Sequence, residues 1–188
     1  MSLILASKSP RRKELLEMVT EDFLVKVSDA DESCDEKTPL ESVPQILAKK
    51  KANAICNPRG DIIIGCDTVV LYGDKLLGKP KTDTEAIEML KMLSNTTHLV
   101  VSGICVTNGK KTVSDSVTTY VTFKELDIRE IENYVNRFHP TDKAGAYGIQ
   151  ESAGAFVTKI EGDFYNVVGL PLCRLCEILK NDFDLKLL

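Results

Sequence analysis

Apolar residues follow two different periodicities along this chain of 188 residues. Short β-branched runs predict strands, and segments with an apolar residue every three or four positions predict helices. We expect strands at 3–6, 23–27, 62–71, 99–107, 112–123 and 156–160. We expect helices at 10–18, 42–55, 82–93, 127–137 and 172–179. Because strands and helices alternate, the pattern predicts a layered α/β fold.

Local signals mark where several of these elements begin. Ser9-Pro10 matches an N-cap followed by proline in the first helical position. The segments from Ser42 to Gln45 and from Thr82 to Glu85 match capping boxes, in which a hydroxyl and a later side chain satisfy the first helical N–H groups. Asn108-Gly109 between two strands predicts a tight hairpin.

Composition and charge narrow the classes of partner. The chain is 43% hydrophobic and 28% charged, which is ordinary for a globular protein. Its length suits a single domain over 1–188, which can be built as two lobes. A net charge of −4 argues against binding of duplex nucleic acid, which needs a basic surface to neutralise phosphates. An aromatic content of 6%, without tryptophan, leaves few side chains on which the bases of single-stranded nucleic acid could stack. A small anionic ligand is still compatible, because a few cations in one place focus potential locally.

Six cysteines are scattered through the chain without a secretory leader or a membrane-length apolar stretch. This pattern predicts a cytoplasmic protein whose reduced thiols fill core space. The cysteines are Cys34, Cys56, Cys66, Cys105, Cys173 and Cys176. We expect Cys173 and Cys176, which form a C-x-x-C pair, to pack within a helix. A zinc site is not expected, because the chain has no second such pair and only two histidines to complete four ligands.

Three consecutive cations stand in the first turn of the first predicted helix. Arg11, Arg12 and Lys13 oppose the helix dipole there, at a cost of roughly 0.3–1 kcal/mol each. An anion bound at the helix start would reverse that penalty. The alternative is a solvated basic turn.

Asp67 is a carboxylate inside the apolar run IIIGCDTVVL. A charge in a buried strand is costly unless it is paired, hydrogen-bonded or bound to metal. Gly65 beside it indicates a bulge or the close approach of another group. The alternative is an aspartate that caps a turn at the end of the strand.

Two more charged features fit a phosphate or metal site. Lys51 lies on the apolar stripe between Leu47 and Ile55, so its ammonium either passes the core to solvent or points into a cleft. The acidic segment 29–36 is either solvated or a source of the one or two carboxylates that Mg²⁺ takes.

Two loops add further candidates. Lys79 lies in the rigid turn Gly78-Lys79-Pro80. This segment is either an ordinary surface turn or a turn whose lysine contacts a phosphate group. The segment from Asp142 to Gln150 is rich in small residues that either build turns or let the backbone approach a flat base. The amide of Gln150 carries a donor and an acceptor, which suit the edge of uracil or thymine.

Taken together, these segments resemble the Maf family of nucleotide pyrophosphatases. In chain order they are LASKSPRR, Asp31-Glu32, Lys51-Ala52, GCDTVV, GKP, DKAGAYGIQ and NVVGLP. They cover the chain from Leu5 to Pro171, and the ordered set is far more specific than any one motif. The resemblance implies a two-lobed α/β fold with an elongated mixed sheet, flanking helices and a central cleft, similar to the inosine-triphosphate pyrophosphatases.

The resemblance also implies the roles of individual residues. The catalytic set is Asp67, Glu32, Lys51 and Lys79. The substrate-binding and specificity set is Ser7, Arg11, Arg12, Thr68 and Gln150. Asp67 is implied as the proton acceptor and, with Glu32, as a ligand of Mg²⁺ or Mn²⁺. Cys66 stands where the family usually has a different small residue, which leaves these roles unaffected.

The implied activity is hydrolysis of a nucleoside triphosphate to the monophosphate and pyrophosphate. The segment DKAGAYGIQ resembles the branch that acts on dTTP and UTP, rather than the branch associated with 7-methyl-GTP. A homodimer in the cytoplasm and a house-cleaning role are implied as well, with no nucleic-acid or membrane partner. The alternative is a nucleotide-binding regulator of cell division and septum formation that does not need turnover.

Overall fold

A computed structural model describes residues 2–27, 29–55, 57 and 59–188. The strands within these residues are β1 Leu3–Leu5, β2 Leu24–Val25, β3 Ile62–Tyr72, β4 Lys75–Leu77, β5 Thr97–Thr107, β6 Thr112–Phe123 and β7 Val157–Glu161. The helices are α1 Pro10–Glu17, α2 Val43–Asn53, α3 Asp83–Leu93, α4 Ile128–Phe138, α5 Phe164–Val168 and α6 Leu172–Phe183. No helix in this described part is both long and apolar enough to span a membrane.

The strands form one mixed sheet. Their order is β2-β1-β3-β5-β6-β7, and β4 pairs with β3. Parallel pairing joins β1 to both β2 and β3, with Ile4 opposite Leu24 on one side and Ile63 on the other. β4 runs antiparallel to β3, and β7 runs antiparallel to β6. The predicted α/β class and mixed sheet are confirmed.

The chain forms two compact units. Unit 1 comprises Met1–Thr68, Ser102–Val117 and Gly169–Leu188, and unit 2 comprises Val69–Val101 and Thr118–Val168. The single domain with a cleft between two lobes stays a prediction.

In unit 1, α2 packs directly on the backbone of the sheet. A Cβ atom at Gly65 would lie 2.1 Å from the carbonyl oxygen of Ala48 and 2.9 Å from the nitrogen of Ala52. A Cβ atom at Gly103 would lie 2.2 Å from the carbonyl carbon of Pro44. Side chains are therefore excluded at both glycines, and the close approach predicted at Gly65 is confirmed.

Unit 2 has an aromatic core around Phe123. The ring of Phe123 meets those of His98 and Tyr147 edge to face, each with a centroid distance of 4.9 Å. Tyr134 and Phe156 extend the cluster at 5.2 Å from each other. His98 and Phe123 are almost completely shielded from solvent. These ring contacts form a densely packed core to which the loops of unit 2 are attached.

Two of the three predicted helix caps are confirmed. The Ser9 hydroxyl accepts from the N–H of Arg12 at 3.5 Å, and the Thr82 hydroxyl accepts from the N–H of Glu85 at 3.2 Å. The prediction is wrong at Ser42, whose side chain makes no capping bond. A 3-10 turn over Leu40–Ser42 already places this serine in helical geometry, so its hydroxyl cannot act from the extended conformation that an N-cap uses.

Short elements account for the other differences. The strand expected over 23–27 is reduced to β2, whose two residues are both exposed. Neither β4 nor α5 is predicted by the sequence pattern, since each is too short to show a clear period. β4 exists because it pairs with β3, with Leu76 opposite Leu71.

Five of the cysteines carry free thiols, and Cys56 lies outside the described residues. Cys66 and Cys105 are buried, as expected of thiols that fill core space. The core-filling prediction is wrong for Cys173, which is exposed on α6, while Cys176 is half-buried. Spacing alone does not show which side of a helix faces the core.

The buried imidazole of His98 predicts a pH-dependent stability. Burial lowers the pKa of His98 from 6.5 to about 4. Between these values the unfolded chain binds a proton that the folded chain does not, so the free energy of unfolding falls as the pH drops from about 6.5 towards 4. We expect this residue to account for a loss of roughly 2 kcal/mol between pH 7 and pH 5.

Urea denaturation at both pH values checks this expectation. His98→Gln should show a smaller difference between the two pH values than the wild type. His139→Gln is the matched control, because His139 is exposed. An unchanged pH dependence in His98→Gln would contradict the expectation.

Candidate active site

Lys51 binds two carboxylates at once. Its Nζ lies 2.5 Å from Oδ1 of Asp67 and 3.1 Å from Oε1 of Glu32. The side chains of Lys51 and Asp67 are only 12% and 14% exposed, whereas that of Glu32 is 65% exposed. Asp67 is the sixth residue of the eleven in β3, so the alternative of a strand-end cap is wrong. The expected pairing of a buried carboxylate is observed.

The position of Lys51 on α2 explains this pairing. Ala48 and Ala52 bring the helix onto the backbone at Gly65, two residues before Asp67. Residues 65 and 67 face the same side of a strand, so the helix that covers Gly65 also faces the carboxylate of Asp67. A lysine on this stripe therefore has a charged partner and does not need to pass the core to reach solvent.

A neighbouring lysine ties the acidic segment to the same helix. Nζ of Lys50 donates to the carbonyl oxygen of Ser33 at 2.7 Å and lies 3.5 Å from Oδ2 of Asp31. Asp31 also accepts from the hydroxyl and the N–H of Ser33, and these bonds lower the pKa of its carboxyl. Lys50 thus contacts the residues on both sides of Glu32. The segment is exposed at Asp31 and Glu32, yet it is anchored.

Arg12 is bound by the protein through three acceptors. Its Nε donates to the carbonyl oxygen of Gly169 at 2.9 Å, and its two terminal nitrogens donate to the hydroxyls of Ser7 at 3.3 Å and Thr68 at 3.2 Å. These bonds use three of the five N–H groups of the guanidinium. The alternative of a solvated basic turn is therefore wrong for Arg12.

The carbonyl oxygen of Gly169 is the shared acceptor of this cluster. Besides Arg12, it accepts from Sγ of Cys66 at 3.2 Å and from the hydroxyl of Thr68 at 3.4 Å. Burial raises the pKa of the Cys66 thiol, which keeps the donor protonated. Thr68 also shares a hydrogen bond of 2.7 Å with the hydroxyl of Ser102.

Sequence reasoning assigned no role to Gly169 or Ser102. Gly169 has a φ of 128°, a conformation that L side chains rarely adopt. In the sequence, Gly169 is marked only as the glycine of the motif NVVGLP. The atom that matters is its backbone carbonyl oxygen, which a pattern of side chains does not reveal. Ser102 gave no signal, because one serine in an apolar strand has many structural explanations.

The two clusters lie on opposite faces of β3. Gly65 and Asp67 face α2, as the contacts of Ala48, Ala52 and Lys51 show. Cys66 and Thr68 instead contact Gly169, and alternate residues of a strand point to opposite sides. Of the predicted site residues, the structure brings Asp67, Glu32 and Lys51 together in one group and Ser7, Arg12 and Thr68 together in another.

The remaining candidates differ in location. Arg11 is half-buried on α1 in unit 1. Lys79 and Gln150 belong to unit 2, where both are exposed. Lys79 follows β4 in the turn before α3, and Gln150 lies in the loop between α4 and β7.

Glu32 and Asp67 satisfy the basic chemical requirement for a divalent cation. Both present carboxylate oxygens to the same point, now held by the ammonium of Lys51, and hard cations such as Mg²⁺ bind through one or two carboxylates. Within 2–27, 29–55, 57 and 59–188, no group of three histidine, cysteine, aspartate or glutamate residues is arranged to hold a metal. The candidate metal site therefore depends on this pair.

We predict that Arg12→Lys lowers the free energy of unfolding by about 1–3 kcal/mol. A lysine ammonium cannot reach three acceptors arranged around a planar guanidinium, so part of the cluster loses its donor. Lys13→Met is the matched control on the next residue, where only an exposed pair with Glu17 is removed. Urea denaturation measures both variants, and equal losses would contradict the structural role of Arg12.

Curated relatives match this chain along nearly its full length. A dTTP/UTP pyrophosphatase of Bacillus cereus strain G9842 is 45% identical over 97% of this chain and 96% of the relative. A protein of the same name from Alkaliphilus metalliredigens is 47% identical over 99% and 98%. Another from Clostridium perfringens is 46% identical over 100% of both chains.

Solved structures match more weakly. The Ham1 protein of Staphylococcus aureus aligns with a TM-score of 0.47 and 19% identity, over 65% of this chain and 72% of that one. A nucleoside-triphosphatase, dITP/XTP pyrophosphatase, of Mycobacterium abscessus aligns with a TM-score of 0.44 and 13% identity, over 67% and 76%.

The family comparison agrees with the motifs found in the sequence. The model described as Maf-like protein matches residues 2–182. This range includes every predicted site residue, from Ser7 to Gln150. Together with relatives at 45% to 47% identity, the match establishes that the chain belongs to the Maf family.

Proposed function

We propose that this chain hydrolyses dTTP and UTP to the nucleoside monophosphate and pyrophosphate. The observation that carries the proposal is the contact of Lys51 with Asp67 and Glu32, which places two carboxylates and a cation together beside a central strand. The names of the relatives at 45% to 47% identity support the same reaction and the same substrates. Modified pyrimidine triphosphates belong to the same chemical class of substrate.

Asp67 is the proposed acceptor of a proton from water. Its carboxylate is nearly buried and is held in one place by Lys51, so it can orient a water molecule for attack on a phosphoryl group. Cleavage between the α- and β-phosphoryl groups releases pyrophosphate. Lys51 offsets part of the negative charge that develops there, which is the main task of a protein in phosphoryl transfer.

The other cations are proposed to hold the triphosphate. Arg11 and Lys79 take this role from the family motifs in which they lie. Arg12 also keeps Ser7 and Thr68 in place through its hydrogen bonds, so its contribution includes the shape of the binding loop. These residues bind and orient the substrate, and the proton transfer belongs to Asp67.

Glu32 and Asp67 are the residues that would hold Mg²⁺ or Mn²⁺. The ion would supply positive charge to the phosphate oxygens. Both carboxylates contact Lys51, so an ion held by them would lie next to the ammonium of a lysine that binds the same residues. Glu32 is the more exposed of the two carboxylates and has more freedom to adjust to an ion.

Gln150, Thr68 and Arg11 are proposed to select the base. The amide of Gln150 offers a donor and an acceptor side by side, which complement the N3–H and carbonyl edge of uracil and thymine. Thr68 shares hydrogen bonds with Arg12 and Ser102, so its hydroxyl is held in place by the protein. The donor and acceptor of the Gln150 amide favour pyrimidines that carry a carbonyl in the 4 position.

We expect the purified chain to release pyrophosphate from UTP and dTTP when Mg²⁺ is supplied. EDTA should stop the release, and added Mg²⁺ should restore it. Asp67→Asn should remove almost all turnover while the fold persists, because the amide keeps the shape but cannot accept the proton. Pyrophosphate release with thermal unfolding as the check on folding measures all three effects.

The same experiment separates this proposal from a regulator of cell division that only binds nucleotides. A folded wild-type chain that binds UTP without releasing pyrophosphate would favour the regulator. Lys91→Met serves as the control variant, since Lys91 forms an exposed pair with Glu88 on α3 and is not one of the proposed site residues. Near-normal turnover in Asp67→Asn would overturn the role of that aspartate.

Gln150→Ala should weaken the preference for pyrimidine over purine triphosphates. Gln150 is exposed in the free chain, but a bound base would shield its amide from water, and the loss of a hydrogen-bond partner in such a shielded place costs about 1–3 kcal/mol. The ratio of kcat/KM for UTP to that for GTP should therefore fall by roughly fivefold to a hundredfold. The kinetics of UTP, dTTP, CTP and GTP measure this ratio. Unchanged ratios would exclude Gln150 from base selection.

The homodimer and the cytoplasmic location implied by the resemblance are also proposed for this chain. A dimer is tested by sedimentation of the purified protein, and the location by cell fractionation. Neither is required for the proposed chemistry, so the kinetic tests above do not depend on them.

A further inference from the structure

The loop over Asp142–Glu151 is folded around the side chain of Lys143. Nζ of this lysine lies 2.8 Å from Oδ1 of Asp142 and 3.3 Å from Oε2 of Glu151. The Lys143 side chain is 9% exposed, whereas those of Asp142 and Glu151 are 58% and 42% exposed. A nearly buried ammonium therefore joins the first and last residues of the loop.

The backbone of the loop lies against the aliphatic part of the same lysine. A Cβ atom at Gly148 would lie 2.9 Å from Cε of Lys143 and 3.2 Å from Cδ of Glu151. The N–H of Ala146 donates to the carbonyl oxygen of Lys143 at 3.1 Å, and the N–H of Glu151 donates to that of Gly148 at 3.0 Å. The backbone at Gly148 is therefore packed against the Lys143 side chain.

Tyr147 fastens the middle of the loop to the core of unit 2. Its hydroxyl and Nε2 of His98 share a hydrogen bond of 2.8 Å, and its ring packs against Phe123. Ala146 beside it is fully buried with a φ of 63°, in the left-handed region that costs energy for alanine. Strain of this kind persists only where the surroundings enforce it, so the loop is held in one conformation.

A backbone hydrogen bond connects this loop to the turn that carries Lys79. The N–H of Gly145 donates to the carbonyl oxygen of Gly78 at 3.1 Å. Gly78 directly precedes Lys79, and Gln150 directly precedes Glu151. The two proposed site residues of unit 2 are therefore each next to a residue that the Lys143 loop holds.

We propose that Lys143 is a positioning residue for base selection, which acts by closing the Asp142–Glu151 loop and so placing Gln150. This inference rests on the proposed hydrolysis of dTTP and UTP. Lys143 itself does not contact substrate in the proposal. Its ion pair with Glu151 closes the loop immediately next to Gln150, and the Gly145–Gly78 hydrogen bond extends the effect to Lys79.

The alternative is that Lys143 only stabilises the fold. A purely structural role lowers the fraction of folded enzyme and changes kcat/KM for every substrate in proportion. A positioning role changes the ratio between bases, because a displaced amide on Gln150 loses its geometric match to uracil. Hydrogen bonds weaken steeply with misalignment, so small displacements of the loop are sufficient.

The test uses Lys143→Met, which keeps most of the unbranched side chain and removes its charged end. We expect the ratio of kcat/KM for UTP to that for GTP to fall by roughly tenfold, mainly through a higher KM for UTP, because a base contact acts in the ground state and the transition state alike. Glu151→Gln should cause a similar fall, and the double variant should be little worse than the worse single variant. Lys91→Met, in an exposed pair on α3, should leave the ratio unchanged.

Lys143→Arg is added in case the methionine variant does not fold, since it keeps the charge and should retain most of the ratio. Binding of non-hydrolysable analogues of UTP and GTP, measured by calorimetry, gives the same ratio without turnover. If the wild type binds UTP selectively but releases no pyrophosphate, the proposed function fails while this inference is still tested. Folded Lys143→Met and Glu151→Gln variants with wild-type ratios in both assays would overturn it.

Discussion

The ammonium of Lys51 lies between two carboxylates, and the proposed chemistry of this protein depends on that contact. Asp67 comes from the middle of β3 and Glu32 from an exposed acidic segment, and Lys51 contacts both. The contact requires α2 to lie directly on the sheet, which Gly65 allows because it has no side chain. Packing, charge and the candidate metal site are thus consequences of one helix position.

The opposite face of β3 shows a different use of a cation. Arg12 of α1 binds a hydroxyl in the loop before its helix, a hydroxyl on β3 and the carbonyl oxygen of Gly169. These bonds link the start of the chain to a segment more than 150 residues later. Arg12 belongs to a motif that indicates phosphate binding, yet it also stabilises the fold. Its planar guanidinium can donate to several acceptors at once.

Unit 2 positions its candidate residues by another route. Gln150 and Lys79 are exposed, yet each is next to a residue held by the loop around Lys143. Tyr147 of this loop is hydrogen-bonded to His98 and packs against Phe123, and these contacts limit the conformations of the loop. Exposed side chains on an anchored backbone suit recognition of a ligand, since less flexibility is lost on binding.

Periodicity and local chemistry were sufficient for the α/β class, the long strands, most helices and the unusual charge at Asp67. These features depend on neighbours in the chain, as do the caps at Ser9 and Thr82. The sequence also showed that Lys51 lies on an otherwise apolar stripe of its helix, where a charge is unusual. The ordered motifs indicated the family. It did not reveal the failed cap at Ser42, the short strand β4, the carbonyl of Gly169 or the closure of the loop by Lys143. Those features were decided by tertiary structure, because backbone acceptors carry no side-chain signal and pairing partners distant in the chain meet only after folding.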